Sequence, residues 1–187
     1  MKKRDFSAIE GRIKKVTELP RKVSMVTYGR PGTGKTTFAA TMPGPILLLD
    51  AREEGTDSIL DTDNEVMVLP VEEWDDFEMA YWFLQSKKGK RFQSCVIDTF
   101  TQIQDICLKQ ILKETKKPNP TKREWGLLGN RPKPWIYHYR DLPQNVMFLC
   151  HDRVSDIEVS EDEDQIIPEV GPRLSPSIAS ALCGSVS

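Results

Sequence analysis

Gly29-Arg30-Pro31-Gly32-Thr33-Gly34-Lys35-Thr36 places a lysine and a hydroxyl directly behind three glycines, and it fills every fixed position of the spacing G-x-x-x-x-G-K-[ST]. Glycines at 29, 32 and 34 allow backbone conformations closed to other residues, so that consecutive N–H groups can turn inward on phosphate oxygens. Lys35 supplies a point charge for the β- and γ-phosphates, and the Thr36 hydroxyl is a hard oxygen ligand of the kind magnesium takes. The expected chemistry is the holding of ATP with Mg2+ by residues Gly29 to Thr37. Arg30 and Thr33, although inside the loop, read as solvated rather than catalytic.

Further polar residues stand directly behind apolar runs. Asp98 closes Cys95-Val96-Ile97 and suits the acidic element that holds a magnesium-bound water. Asp50 closes Ile46 to Leu49 and begins Asp50-Ala51-Arg52-Glu53-Glu54-Gly55, which offers carboxylates to orient or deprotonate an attacking water. Glu53 is the first choice for that role, with Glu54 equally plausible by position. His151 closes Val146 to Cys150 and is a candidate polar contact to the γ-phosphate. The expected catalytic set is therefore Lys35, Glu53, Asp98 and His151, with Thr36 and Asp98 as the metal ligands.

The elements that must position these groups follow from hydrophobic periodicity. Short apolar or β-rich runs at Val23 to Tyr28, Ile46 to Leu49, Val66 to Leu69, Cys95 to Ile97 and Val146 to Cys150 predict strands, the continuous ones buried on both faces. Helical spacing predicts a small-residue helix from Thr36 to Thr41, which Pro43, Gly44 and Pro45 end. A second has Trp74, Phe77, Ala80, Tyr81 and Leu84 on one face, and a third carries Ile103, Ile106, Cys107, Gln110 and Ile111. Lys116 to Pro134 reads as irregular, and Trp135 to Leu142 as a short helix. Alternation of strands and helices predicts an α/β fold with a parallel central sheet, ligands lying at the carboxyl ends of its strands. Val154 to Val159 and Gln165 to Ile167, joined by the acidic tract Ser160 to Asp164, predict an appended β-hairpin.

The chain has 187 residues and a net charge of -2, which suits one domain and excludes a polycation drawn to nucleic acid from every side. Lys2 to Lys22 holds eight basic and three acidic residues and reads as a basic lead-in segment, 1–22, ahead of a domain over 23–187. The spacing of Cys95, Cys107, Cys150 and Cys183 offers no CxxC pair, so four reduced core thiols are expected in place of disulfides or zinc. No apolar run is long enough to span a membrane, and a cytoplasmic location is expected. Charge is uneven: Asp50 to Glu78 holds twelve acidic residues and one basic, whereas Leu108 to Arg140 holds nine basic and two acidic. In the basic run Lys113, Lys116, Lys117, Lys122, Arg123, Arg131 and Lys133 are interleaved with Trp125 and Trp135. That composition fits either sequence-tolerant binding of single-stranded DNA or a solvated loop anchored by its tryptophans.

Taken together, Gly29 to Thr36, Ile46 to Glu54, Cys95 to Asp98 and Phe148 to His151 resemble the RecA-like P-loop ATPases. More narrowly, the stretch Tyr28 to Ala39, followed by Pro43, Pro45 and Leu47-Leu48-Leu49-Asp50, is similar to the opening of phage-type nucleotide-binding proteins related to single-strand-annealing recombinases. The resemblance covers about residues 20 to 180. It implies a sheet in which the His151 strand lies between the P-loop and Asp98 strands. It also implies an ATPase active in DNA recombination, a ring or filament of like subunits in a bacterial host cell, and a single-strand-binding or replication protein as a possible partner. Members tend to carry acid-x-Glu after the second strand, whereas here Arg52 fills the third place and Glu53 the fourth. Such sites are usually completed by a basic group of the next subunit, for which Arg173 is the better-placed candidate and Arg153 the other. Ile178, Ala179, Ala181 and Leu182 resemble the helix that leads to a final strand, which the domain is then expected to lack. A reading from another class is a nucleotide-gated module that loads or regulates a DNA replication or packaging protein.

Overall fold

The computed structural model describes residues 7–18, 21–51, 55–158 and 166–186. Five parallel strands form the central sheet: β1 (Ser24–Tyr28), β2 (Ile46–Asp50), β3 (Val66–Pro70), β4 (Ser94–Asp98) and β5 (Asn145–Cys150), in the order β1-β5-β4-β2-β3. The strand that leads to His151 thus runs between the P-loop strand and the Asp98 strand, as the resemblance implies. Register aligns Asp50 with Asp98, Asp98 with Leu149 and Tyr28 with Cys150, which brings the carboxyl ends of β1, β2, β4 and β5 to one edge.

β4 is buried at every position and β2 at all but Asp50, which explains why their sequences are continuous apolar runs without alternation. Successive residues still face opposite ways. Leu47, Leu49, Cys95, Ile97, Val146 and Phe148 join one core, while Ile46, Leu48, Val96, Met147 and Leu149 join the other.

The two faces are covered unequally. A short helix α1 (Ser7–Glu10) precedes the sheet, and α2 (Lys35–Ala39) with the 3-10 turn Gly55–Ile59 covers the second core. The first core is closed by α3 (Trp74–Gln85), α4 (Phe100–Thr115), α5 (Lys122–Asn130), α6 (Pro132–Arg140) and α7 (Pro176–Ser185). α3 buries Trp74, Phe77, Ala80, Tyr81 and Leu84, the five residues its spacing singles out. Phe77 stacks on Tyr139 of α6 at 4.7 Å between centroids, and the Tyr139 hydroxyl donates to the Phe77 carbonyl at 2.7 Å.

Lys116 to Pro134 is irregular only as far as Thr121. It contains α5, whose start is a capping box in which the Thr121 hydroxyl and the Glu124 carboxylate exchange hydrogen bonds with each other's backbone N–H regions. The hydroxyl and N–H of Thr121 hold the Glu124 carboxyl below the usual carboxylate range. Pro132 takes the first turn of α6, where its missing N–H costs nothing. β6 (Asp152–Glu158) and β7 (Ile166–Pro172) form the expected antiparallel hairpin, while the acidic tract between them lies outside the described residues. Cys95, Cys107 and Cys150 are free and buried; burial pushes all three thiols up, Cys107 to about 12, so they stay protonated. Cys183 departs from the expectation of a core thiol, being exposed on α7.

Gly89, in the 3-10 turn Gly89–Arg91 between α3 and β4, sits against the end of α3. A Cβ there would stand 2.1 Å from the Phe83 carbonyl oxygen and 2.5 Å from the Leu84 Cα. Since both obstacles are backbone, Gly89→Ala is expected to cost about 2 kcal/mol or more, within the range for overpacked sites. Chemical denaturation measures this, and an unchanged midpoint would show that the turn yields freely.

Candidate functional site

The P-loop leaves β1 at Tyr28 and enters α2 at Lys35, with the Gly29 N–H donating to the Cys150 carbonyl at 3.3 Å and so tying the loop to β5. Gly32 and Gly34 take φ of 77° and 79°, and nothing stands within 4 Å of where a Cβ would be at either. Any other residue would be strained there, and the space a side chain would fill is left open above the loop. The Lys35 side chain is buried and its Nζ donates to the carbonyls of Gly29 and Arg30, each at 2.9 Å. Its charge is thereby fixed over the loop it belongs to. The Thr33 hydroxyl donates to the Arg30 carbonyl at 2.8 Å and tightens the turn, which is a structural role. Arg30 points into solvent, 3.9 Å from Asp152. Arg30 is thus solvated, whereas the Thr33 hydroxyl is engaged within the loop.

Asp98 ends β4 and is buried, and the Thr36 hydroxyl donates to its Oδ2 at 2.6 Å. Residues 62 positions apart are thus brought into direct contact. A hydroxyl and a carboxylate are hard oxygen donors, the type magnesium prefers while it keeps several waters and substrate phosphates as further ligands. A cleft of about 290 Å³ opens above this pair. Its walls include Gly32, Gly34, Lys35, Thr36 and Thr37 from the loop and α2, together with Asp98 and His151. The donor set and the open glycine cradle fit a nucleotide triphosphate with its metal. Among the described residues no cluster of three or more His, Cys, Asp or Glu side chains is suited to a metal ion.

His151 is buried at the same edge, its backbone N–H donating to the Thr101 hydroxyl of α4 at 3.0 Å. The hydroxyl of Thr101 pins the residue that follows β5, a contact no spacing in the sequence signals. Gly55, Ser58 and Thr99 also line the cleft and were not among the expected residues. Gly55 is close enough to α2 that its Cβ would meet the Thr36 hydroxyl at 3.5 Å. Arg52, Glu53 and Glu54, the stretch holding both candidates for the water-orienting carboxylate, lie outside the described residues.

Arg173 is exposed just past β7, its N–H donating to the His151 carbonyl at 2.7 Å. Burial pushes the Asp105 carboxyl on α4 up, and the charges of Arg173 and Lys109 pull it part of the way back. Arg173 therefore has an acidic neighbour within its own chain.

The basic run from Leu108 to Arg140 lies mostly on α4, α5 and α6, where Lys113, Lys116, Lys117, Lys122 and Arg123 are exposed. Arg131 is held by a bidentate pair with Glu114 at 2.9 and 2.5 Å, and Arg140 pairs with Asp141. Trp135 packs edge-on to Trp74 and Tyr81 within the core cluster. Of the two tryptophans only Trp125 is exposed. No helix among the described residues is long and apolar enough to cross a membrane.

Comparison with known proteins agrees with the site. No curated protein matches the chain. The family model described as an AAA domain matches residues 21–182, from just before β1 into α7. That match takes in the P-loop, both metal-ligand candidates and every strand among the described residues, and the chain belongs to the AAA domain family of P-loop ATPases.

Proposed function

We propose that this chain is a magnesium-dependent ATPase of the phage type that acts on single-stranded DNA in strand annealing or homologous recombination. The observation that carries the hydrolytic part is the Thr36–Asp98 contact beneath the glycine cradle. Lys35 offsets charge on the β- and γ-phosphates and holds them in line. Thr36 and Asp98 orient the metal, which when bound neutralises the phosphate oxygens and draws charge toward the leaving group. His151 reports on the γ-phosphate from the end of β5, and Glu53 or Glu54 orients the attacking water. Arg173 is assigned to complete the site of the next subunit in a ring or filament. The DNA part rests on the likeness of residues Tyr28 to Asp50 to phage annealing proteins and on a sheet order that agrees with that likeness.

The second reading, a nucleotide-gated module that loads or regulates a replication or packaging protein, gains from one observation. Arg131 is paired and Trp135 packs against the core, which takes one cation and one ring out of the DNA platform that the basic run suggests. ATP hydrolysis measured with and without single-stranded DNA separates the two. Stimulation by the DNA is expected here; steady turnover unaffected by DNA would favour the module.

A further inference from the structure

We propose that the end of α3 and the turn that follows it form a binding platform for single-stranded DNA, on the sheet edge opposite the nucleotide cleft. The proposal rests on the DNA reading above and gives it a location.

α3 buries one face, and its outer face carries Met79, Trp82 and Phe83, respectively 66%, 60% and 36% exposed. These positions, i, i+3 and i+4, adjoin on a helix surface, so they form one apolar patch. Trp82 packs edge-on to Tyr81, 5.0 Å between centroids at 72°, which steadies its ring while leaving most of it in solvent. Directly after the helix come Lys87, Lys88, Lys90 and Arg91, all exposed, and from Met79 to Gln93 there is no acidic residue. None of the four makes an ion pair with a described residue. The Arg91 guanidinium lies over the Phe92 ring at 4.8 Å, and Phe92 packs on Phe83 at 6.1 Å, which joins the cationic turn to the aromatic patch.

A blander role for these cations is to offset the negative end of the α3 dipole. That end carries only about half an elementary charge, so one lysine suffices and four exceed the need. On a chain whose net charge is -2, four cations without an ion pair among the described residues thus stand beside exposed rings. Cations that follow a phosphate backbone, with aromatic faces on which bases of any sequence stack, are the two parts of sequence-tolerant single-strand binding. The turn precedes β4, at the amino edge of the parallel sheet, whereas the P-loop follows β1 at the carboxyl edge. DNA on this platform would therefore leave the ATP cleft free.

Fluorescence anisotropy of a labelled oligothymidylate, titrated with the full chain at several salt concentrations, tests the proposal. Lys87→Glu with Lys88→Glu is expected to weaken binding at least about tenfold and to flatten the salt dependence, since each lost phosphate contact removes about 0.7 from the logarithmic slope. Trp82→Ala is expected to cost about tenfold, within the range for one stacked base, while Trp82→Phe retains most of the affinity. ATP binding by each variant should equal that of the parent, which shows that the fold and the nucleotide cleft are intact. Parental DNA affinity in both the charge and the Trp82→Ala variants would overturn this location and leave the DNA reading standing. No binding by the parent chain would overturn both. Displacement of the oligonucleotide by an acidic peptide, with the parent chain preferring the peptide, would overturn the nucleic-acid assignment in favour of a protein partner.

Discussion

Lys35→Ala should lose ATP binding by roughly tenfold to a hundredfold, because hydrogen bonds to charged groups contribute about 1.5–3 kcal/mol and the phosphates lose the lysine of the motif. Its ammonium is already fixed over the loop by the Gly29 and Arg30 carbonyls, so little order has to be gained when phosphate arrives. The same contacts create a confounding effect, since alanine also releases the loop from its own lysine. Lys35→Arg separates the two. It keeps a positive charge but places a planar fork where a compact ammonium fits, so affinity should fall while apo stability remains near that of the parent. Calorimetric titration of both variants with ATP is the check, and parental affinity in Lys35→Ala would remove the lysine from the site.

Asp98→Asn is expected to have the second large effect, on turnover. The amide keeps the volume and can still accept from the Thr36 hydroxyl, so β4 and the contact at its end should persist. What disappears is the negative charge that holds the metal, and with it about a hundredfold or more of the rate, several kcal/mol being the usual worth of a positioned metal. Affinity for ATP in EDTA should be unchanged, while the gain on adding Mg2+ should shrink. Thr36→Ala should show the same loss of magnesium dependence. A phosphate-release assay over a range of Mg2+ concentrations reads both variants, and parental turnover in Asp98→Asn would move the metal elsewhere.

The parts legible in the sequence are those where one physical constraint acts alone. Ile46 to Leu49 and Cys95 to Ile97 are dry on both faces, so an unbroken apolar run identifies each as a central strand. The glycine spacing at 29, 32 and 34 answers a need for open backbone space, and two of the three take left-handed φ. α3 was legible because five large residues recur at helical spacing on one buried face. α5 was missed for the opposite reason. It buries only Glu124 and Leu128, holds Gly126 and Gly129, and lies between Pro120 and Pro132. Its signal was the capping box Thr121-x-x-Glu124, which outweighs neighbouring prolines that stand outside the helix.

Charge was the least legible property, because a count of lysines and arginines does not tell which are paired. Glu114 neutralises Arg131 across 17 positions, and Trp135 is taken up by Trp74, Phe77 and Tyr81 from a distant helix. The tertiary fold thereby takes one cation and one ring out of the long basic run. Of the expected catalytic set, Lys35, Asp98 and His151 come together around one cleft, while Glu53 lies outside the described residues. Lys35 and Asp98 are readable from motif and strand ends, but the contact of Thr36 with Asp98 requires the β1-β5-β4 order.

The most direct test of the nucleotide site is calorimetric titration of ATP into the full chain, once with Mg2+ and once with EDTA. Binding at one site per chain is expected, tightened by Mg2+ because Thr36 and Asp98 share the metal with the phosphates. No binding, or one-site binding that is the same in EDTA and in Asp98→Asn, would contradict the account.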